Sequence, residues 1–84
     1  MSSLEKTYNT RVLQCETSQC GHYILEESMN CVTHCVSPDC HRQVGYDVNP
    51  LEDGEVDEVR ASQFAICVTH EILKERARAR ERRG

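Results

Sequence analysis

CVTHCVSPDCH, residues 31–41, contains three cysteines and two histidines within eleven residues. Cys31 and Cys35 are four apart, so on a helix they lie on one face and present two sulfurs to the same neighbour. Ser37 followed by Pro38 has the form of a helix start, with the serine as N-cap and the proline as first helical residue. The stretch therefore predicts two helices that meet at Ser37.

The sequence before this stretch predicts a further helix at the start of the chain. Ser2 and Glu5 have the spacing of a capping box, and apolar residues follow at helical intervals. The first helix is predicted over residues 4–14, the helix that carries the closely spaced cysteines over 23–36, and the third over 38–45.

An acidic loop and a long helix complete the chain. Pro50 and Gly54 interrupt any regular pattern in DVNPLEDGEVDE, and a last helix is predicted over residues 55–82. Its buried face is assigned to Val56, Val59, Cys67 and, at the margin, Phe64, with Ile66 and Leu73 flanking it. The chain is predicted to be one domain with three parts: a cysteine-rich helical region (1–45), the acidic loop (46–55) and the C-terminal helix with a basic end (56–84).

The six cysteines are the expected source of stability. A chain of 84 residues with four aromatic side chains and no Trp builds only a thin core. An even number of cysteines suits three disulfides. If the first two helices run antiparallel, nested pairing joins Cys15 to Cys35 and Cys20 to Cys31, and leaves Cys40 for Cys67. This is one of 15 connectivities, and the others stay open.

Two other interpretations of the cysteines also stay open. Zinc would take Cys31, Cys35 and Cys40, with Cys67 or His41 as the fourth ligand. The usual C-x2-C knuckle of zinc modules is missing from the chain. The other interpretation is a redox-active or nucleophilic cysteine, although the chain contains no C-x-x-C motif. The disulfide interpretation predicts an all-α fold, a small disulfide-stapled helical hairpin plus a long C-terminal helix, with no cofactor.

The order helix, cysteine pair, turn, helix, cysteine pair over residues 4–40 resembles the coiled-coil-helix-coiled-coil-helix proteins of the mitochondrial intermembrane space. That family repeats C-x3-C or C-x9-C twice, whereas this chain has C-x3-C once beside C-x4-C spacings. The resemblance implies cysteines that are oxidised during import without a cleaved presequence. It also implies a role as accessory subunit or assembly factor of a respiratory complex.

The charge of the chain is concentrated at one end. Residues 74–83 hold six basic and two acidic side chains, a net charge of +4, so the remainder of a chain with net charge -4 carries -8. A basic end suits an acidic protein surface or lipid headgroups, and the acidic body makes nucleic acid an unlikely partner. The residues predicted to dock on a partner are Lys74, Arg76, Arg78, Arg80, Arg82 and Arg83.

No enzymatic activity is predicted. HEILK, which begins at His70, lacks the second histidine of the zinc-protease motif, and His22, His34 and His41 are expected on the surface. A chain this short has little room for a small-molecule cleft. The sequence predicts a non-catalytic accessory subunit of an inner-membrane complex, respiratory complex I or the ATP synthase, on the intermembrane-space side of mitochondria. The alternatives are a zinc-binding adaptor and a secreted cysteine-rich factor.

Overall fold

The structure is a computed structural model that describes residues 2–22, 28–52 and 57–83, and all the regular structure in these ranges is helical. The order of the helices is α1 (Ser3–Thr17), α2 (Met29–Val36), α3 (Pro38–Val44) and α4 (Glu58–Arg83). Contacts join α1 to α2, α2 to α3, α3 to α4 and α4 back to α1, so the helices form a closed ring. No strand occurs in the described ranges. The predicted all-α fold, a stapled hairpin plus a long last helix, is confirmed.

The caps of α1 and α3 fix where these helices begin and end. The Ser2 side chain accepts the Glu5 N–H at 3.1 Å, as the capping box predicts, and α1 runs three residues beyond the predicted end. Ser37 Oγ accepts the Cys40 N–H at 3.1 Å, with Pro38 as first residue of α3. Gly45 ends α3 at φ 94°, a left-handed conformation that favours glycine.

The two other helices begin later than predicted. Helix α2 begins at Met29, and the residues 23–27 that were also assigned to it lie outside the described part. Helix α4 begins at Glu58, after Asp57, whose Oδ1 accepts the Arg60 N–H at 3.0 Å in the manner of an N-cap. Val56 of the predicted buried face also lies outside the described residues.

Three disulfides tie the helices together: Cys15–Cys35, Cys20–Cys31 and Cys40–Cys67, with Cα–Cα distances of 5.9, 5.8 and 5.8 Å. These are the three pairs that nested pairing predicts. The first two join α1 and the turn after it to α2. The third joins α3 to α4. Because Cys20 lies in the turn and not on α1, the five-residue spacing from Cys15 does not prevent both from reaching α2.

The interior consists of two small clusters. One is built from Tyr46 and the inner side of α4 around the Cys40–Cys67 bond. The other surrounds the nested disulfides and contains Val32 of α2. Val36 packs against both clusters and so connects them. Among the described residues, no helix is both long and apolar enough to cross a membrane.

Candidate functional site

The buried face of α4 consists of Phe64, Val68 and Ile72, none of which is more than 2% exposed. The prediction that Val59 belongs to this face was wrong, because its side chain is 68% exposed. Nine residues separate Val59 from Val68, about two and a half turns, which places them on opposite sides of the helix. Cys67 lies at the edge of the buried face and packs against the core.

The outer side of α4 carries a second apolar stripe. Val59, Ile66 and Leu73 are 68%, 59% and 43% exposed. They follow one another at intervals of seven residues, the spacing that keeps side chains on one seam of a helix that packs against another helix. Contacts within this chain leave the stripe facing outward, although the sequence had placed Ile66 and Leu73 only at the flank of the buried face.

A groove runs between this outer side of α4 and helix α3. Its volume is about 650 Å³, and Ile66 with half-buried Cys67 provides its apolar part. The Cys40–Cys67 disulfide holds the two walls together, since it links α3 to α4 directly. The lining residues are Asp39, Gln43, Gln63, Ile66, Cys67, His70, Glu71, Lys74, Glu75 and Arg78.

Each carboxylate of the groove is already engaged within the chain. Glu71 Oε1 accepts the Ser37 hydroxyl at 2.7 Å and lies 3.3 Å from Cys40 Sγ. Glu75 forms an ion pair with Arg11 of α1. The remaining carboxylate, that of Asp39, pairs with Arg42 one turn along α3. Asp39 and Glu75 therefore have their charge balanced by arginines, whereas Glu71 keeps its charge and is held by a neutral hydroxyl.

The cations of the groove are not engaged in this way. In the part of the chain that the structure describes, the side chains of Lys74 and Arg78 form neither an ion pair nor a hydrogen bond, and that of Arg80 beyond the groove forms none either. All three side chains are exposed. The groove thus combines an apolar strip with positive charge that lacks a partner, which suits binding an acidic ligand.

The predicted docking residues whose side chains the structure describes fall into two groups. Arg76 turns back onto α1, where its Nη2 donates to the Ser3 and Thr7 hydroxyls at 3.0 Å each. This contact is internal to the chain, and partner docking by Arg76 stays a prediction. Lys74, Arg78 and Arg80 remain available on the surface. The side chains of Arg82 and Arg83 lie outside the described residues.

The sulfurs of the alternative zinc set are all in disulfides. Cys31, Cys35, Cys40 and Cys67 each bond to another cysteine, so the thiolates that zinc needs would appear only after reduction. Within the described ranges, Cys40 and Cys67 are the only members of this set that cluster with a further ligand type, the Glu71 carboxylate, within 4.8 Å. The sequence analysis missed Glu71, although its position four residues after Cys67 is a signal that it shares the same face.

His41, the fifth candidate zinc ligand, lies in the interior. It is 7% exposed, and its Nδ1 lies 2.9 Å from the Thr33 hydroxyl. The prediction that it is a surface residue was wrong, because a buried hydroxyl satisfies the ring; His22 and His34 are exposed as expected. Burial, together with the nearby His34 ring, lowers the pKa of His41.

Tyr46 closes the core beside His41. It is 1% exposed, and its ring lies between His41, with centroids 5.5 Å apart, and Phe64 at 6.2 Å. The Arg60 guanidinium carbon lies 4.7 Å from the ring centroid, the geometry of a cation–π contact. Burial raises the pKa of the Tyr46 phenol, and the positive charge of Arg60 opposes that shift.

Fold and site together define a small disulfide-linked helical domain with an open groove along its last helix. The chain belongs to the family described as domain of unknown function DUF4787, whose model matches residues 5–67. The matched region includes all six cysteines and ends before the unpaired cations of α4. Neither the comparison with curated proteins nor that with solved structures found a match.

Proposed function

We propose that this protein is a non-catalytic accessory subunit, a disulfide-stabilised helical module that binds a larger protein assembly through the outer side of α4. The observation that carries the proposal is the groove between α3 and α4. Its carboxylates are engaged within the chain, whereas Lys74 and Arg78 are not, beside the exposed Ile66. Such a surface can bind a protein, because apolar side chains and unpaired charges both gain partners on docking.

The cysteines support the proposed compartment. All six are bonded in pairs, and disulfides of this kind persist in oxidising environments. The resemblance to twin-cysteine-pair proteins supports the mitochondrial intermembrane space. The proposed host is an inner-membrane complex, either respiratory complex I or the ATP synthase, approached from that side.

Expression of the tagged full chain in cells, with free thiols blocked at lysis, tests the proposal. The oxidised protein should fractionate with mitochondria and comigrate with a large complex on native gels. Oxidised protein in the medium would contradict the mitochondrial location and favour the secreted alternative. A reduced, zinc-loaded protein in the cytosol would contradict the proposal altogether.

A pair of variants ties comigration to the surface of α4. Ile66→Glu places a charge on the outer stripe and should release the protein from its complex. Leu13→Glu is the matched control, since Leu13 on α1 is equally exposed at 59% but lies away from the groove. Equal loss in both variants would mean that the outer side of α4 is not the docking surface.

A further inference from the structure

We infer that the groove between α3 and α4 binds an acidic amphipathic helix of a protein partner, with its apolar side chains on Ile66 and Cys67 and its carboxylates at Lys74 and Arg78. The inference rests on the proposed function and adds the chemistry of the partner. It depends on three features of the groove: its shape, the position of its apolar strip and the state of its charged groups.

The shape of the groove suits a helix. Its lining extends along α4 from Gln63 to Arg78, about 22 Å at the rise of an α-helix. Helix α3 forms the opposite wall, and the volume of about 650 Å³ is large enough for several side chains. A helix laid in such a trough inserts the side chains of one face, at positions i, i+4 and i+7.

The apolar strip provides the anchor points. Ile66 lines the groove and is 59% exposed, and Leu73, two turns further along α4 and 43% exposed, extends the apolar surface beyond the lining. Cys67 contributes a disulfide sulfur, which is apolar, unlike the thiolate of a reduced cysteine. A partner helix that covers these residues removes apolar surface from water, which favours binding.

The charged groups determine the sign of the partner. The carboxylates of Asp39 and Glu75 form ion pairs with Arg42 and Arg11, and that of Glu71 accepts the Ser37 hydroxyl and keeps its charge. Lys74 and Arg78 have no such contacts among the described residues. A carboxylate on the partner therefore gains a charge-assisted contact at these two cations.

The mixed charge of the lining favours a discrete helix over a phosphate-rich surface. Lys74 and Arg78 alternate along α4 with Glu71 and Glu75, and Asp39 faces them from α3. An array of lipid phosphates would meet these carboxylates as well as the cations. A helix places single carboxylates one turn apart and so can contact the cations alone.

Selection from a library tests this chemistry without assuming a sequence. Random helical peptides of about sixteen residues are displayed and selected on the oxidised full chain, with counter-selection on a Lys74→Glu/Arg78→Glu double variant. The enriched peptides should carry acidic residues beside an apolar i, i+4, i+7 face. Enrichment of basic or neutral peptides, or no acidic enrichment over the starting library, would overturn the inference.

The affinity of one enriched peptide, measured by fluorescence anisotropy at 0.15 M salt, locates the contact. The double charge reversal should weaken binding at least tenfold. Arg80→Glu is the matched control for the single Arg78→Glu variant, because both change the net charge equally and Arg80 is exposed on α4 but does not line the groove. An equal loss in Arg80→Glu would overturn the assignment to the groove and indicate attraction by net charge only.

Two further measurements test whether the groove is occupied by a second copy of the chain or by lipid instead of a helix of a partner protein. A dimer of the free protein in sedimentation, abolished by Lys74→Glu/Arg78→Glu, would overturn the separate partner in favour of a second copy. Binding to anionic vesicles that competes with the peptide would overturn it in favour of lipid. If Ile66→Glu abolishes comigration in cells while the selected peptides are not acidic, the proposed function stands and only the partner chemistry fails.

Discussion

The side-chain amide of Asn30 forms two hydrogen bonds with the backbone of Leu51. Its Nδ2 donates to the Leu51 carbonyl at 2.8 Å, and its Oδ1 accepts the Leu51 N–H at 3.1 Å. One side chain of α2 thereby takes the place of a backbone partner and fixes the segment that leads from α3 towards α4. Leu51 in turn packs against the main core cluster.

Asn30→Ala should destabilise the protein by about 1 to 3 kcal/mol, because it leaves a partly buried donor and acceptor without partners. Urea unfolding measures the difference. Asn49→Ala is the control: that side chain is exposed, and its replacement should change the free energy of unfolding by no more than about 0.5 kcal/mol. Equal effects of the two variants would show that the amide does not hold Leu51.

Loss of the Cys40–Cys67 bond should cost about 3 to 4 kcal/mol, as expected for a loop of 27 residues. The double variant Cys40→Ser/Cys67→Ser avoids a free thiol. The unfolding midpoints of this variant and of the oxidised parent are compared, and both are then measured again with reductant added. A midpoint equal to that of the oxidised parent would show that this bond does not contribute to stability.

Neighbouring residues of α4 should respond differently to truncation. Ile72→Ala creates a cavity in the core and should cost about 2 to 5 kcal/mol. Leu73→Ala removes a side chain from the outer stripe and should cost less than about 1 kcal/mol. Thermal unfolding of both variants tests the rotation of α4, and the reverse order of effects would mean that the helix presents its other face to the core.

Arg76→Ala should destabilise the contact between α1 and α4 by about 1 to 2 kcal/mol, since its guanidinium bonds to hydroxyls of α1. Arg76→Lys should restore part of the loss, because a lysine ammonium offers several N–H donors in place of the single Nη2 but sits on a shorter side chain. Arg78→Ala, on the exposed side, serves as the control. Unfolding by urea gives all three values, and full rescue by lysine would indicate that charge alone matters.

Acidification should weaken the fold through His41. Its pKa is lowered by burial and by His34, although Asp47 opposes the shift; Tyr46 and Thr33 are its other neighbours. Below about pH 6.5 the unfolded chain therefore binds more protons than the folded one. The free energy of unfolding should fall as the pH drops through that value towards the folded pKa.

The His41→Gln variant isolates this effect. Its stability should depend less on pH than that of the parent in the window just below pH 6.5, where the difference between the two curves reports His41 alone. The measurement is urea unfolding at a series of pH values. Parallel curves for parent and variant would show that His41 keeps its ordinary pKa in the folded state.

Local rules in the sequence predicted the helix boundaries best. Ser2, Ser37 and Pro38 mark starts and Gly45 marks an end because each acts on backbone groups within one helical turn. The nested cysteine pairs follow from one assumption, that α1 and α2 are antiparallel. These features need no knowledge of distant parts of the chain.

Features that depend on distant contacts were not predictable in this way. The face of α4 depends on what Phe64 meets, and that neighbour is Tyr46, eighteen positions earlier in the chain. Likewise, the burial of His41 depends on the Thr33 hydroxyl, and the internal role of Arg76 depends on α1. The state of Lys74 and Arg78 also depends on distant residues, because Ser37 and Arg11 contact the neighbouring Glu71 and Glu75.

The disulfides have a consequence for the covalent connectivity of the chain. Cys20–Cys31 lies inside the Cys15–Cys35 loop, and Cys40–Cys67 closes a separate loop. A protease that cuts once within either loop produces a nicked molecule whose pieces stay attached until a reductant is added. A single cut separates the two loops only if it falls in residues 36–39. Ser37 in that segment is buried, and its hydroxyl is hydrogen-bonded to both α3 and α4.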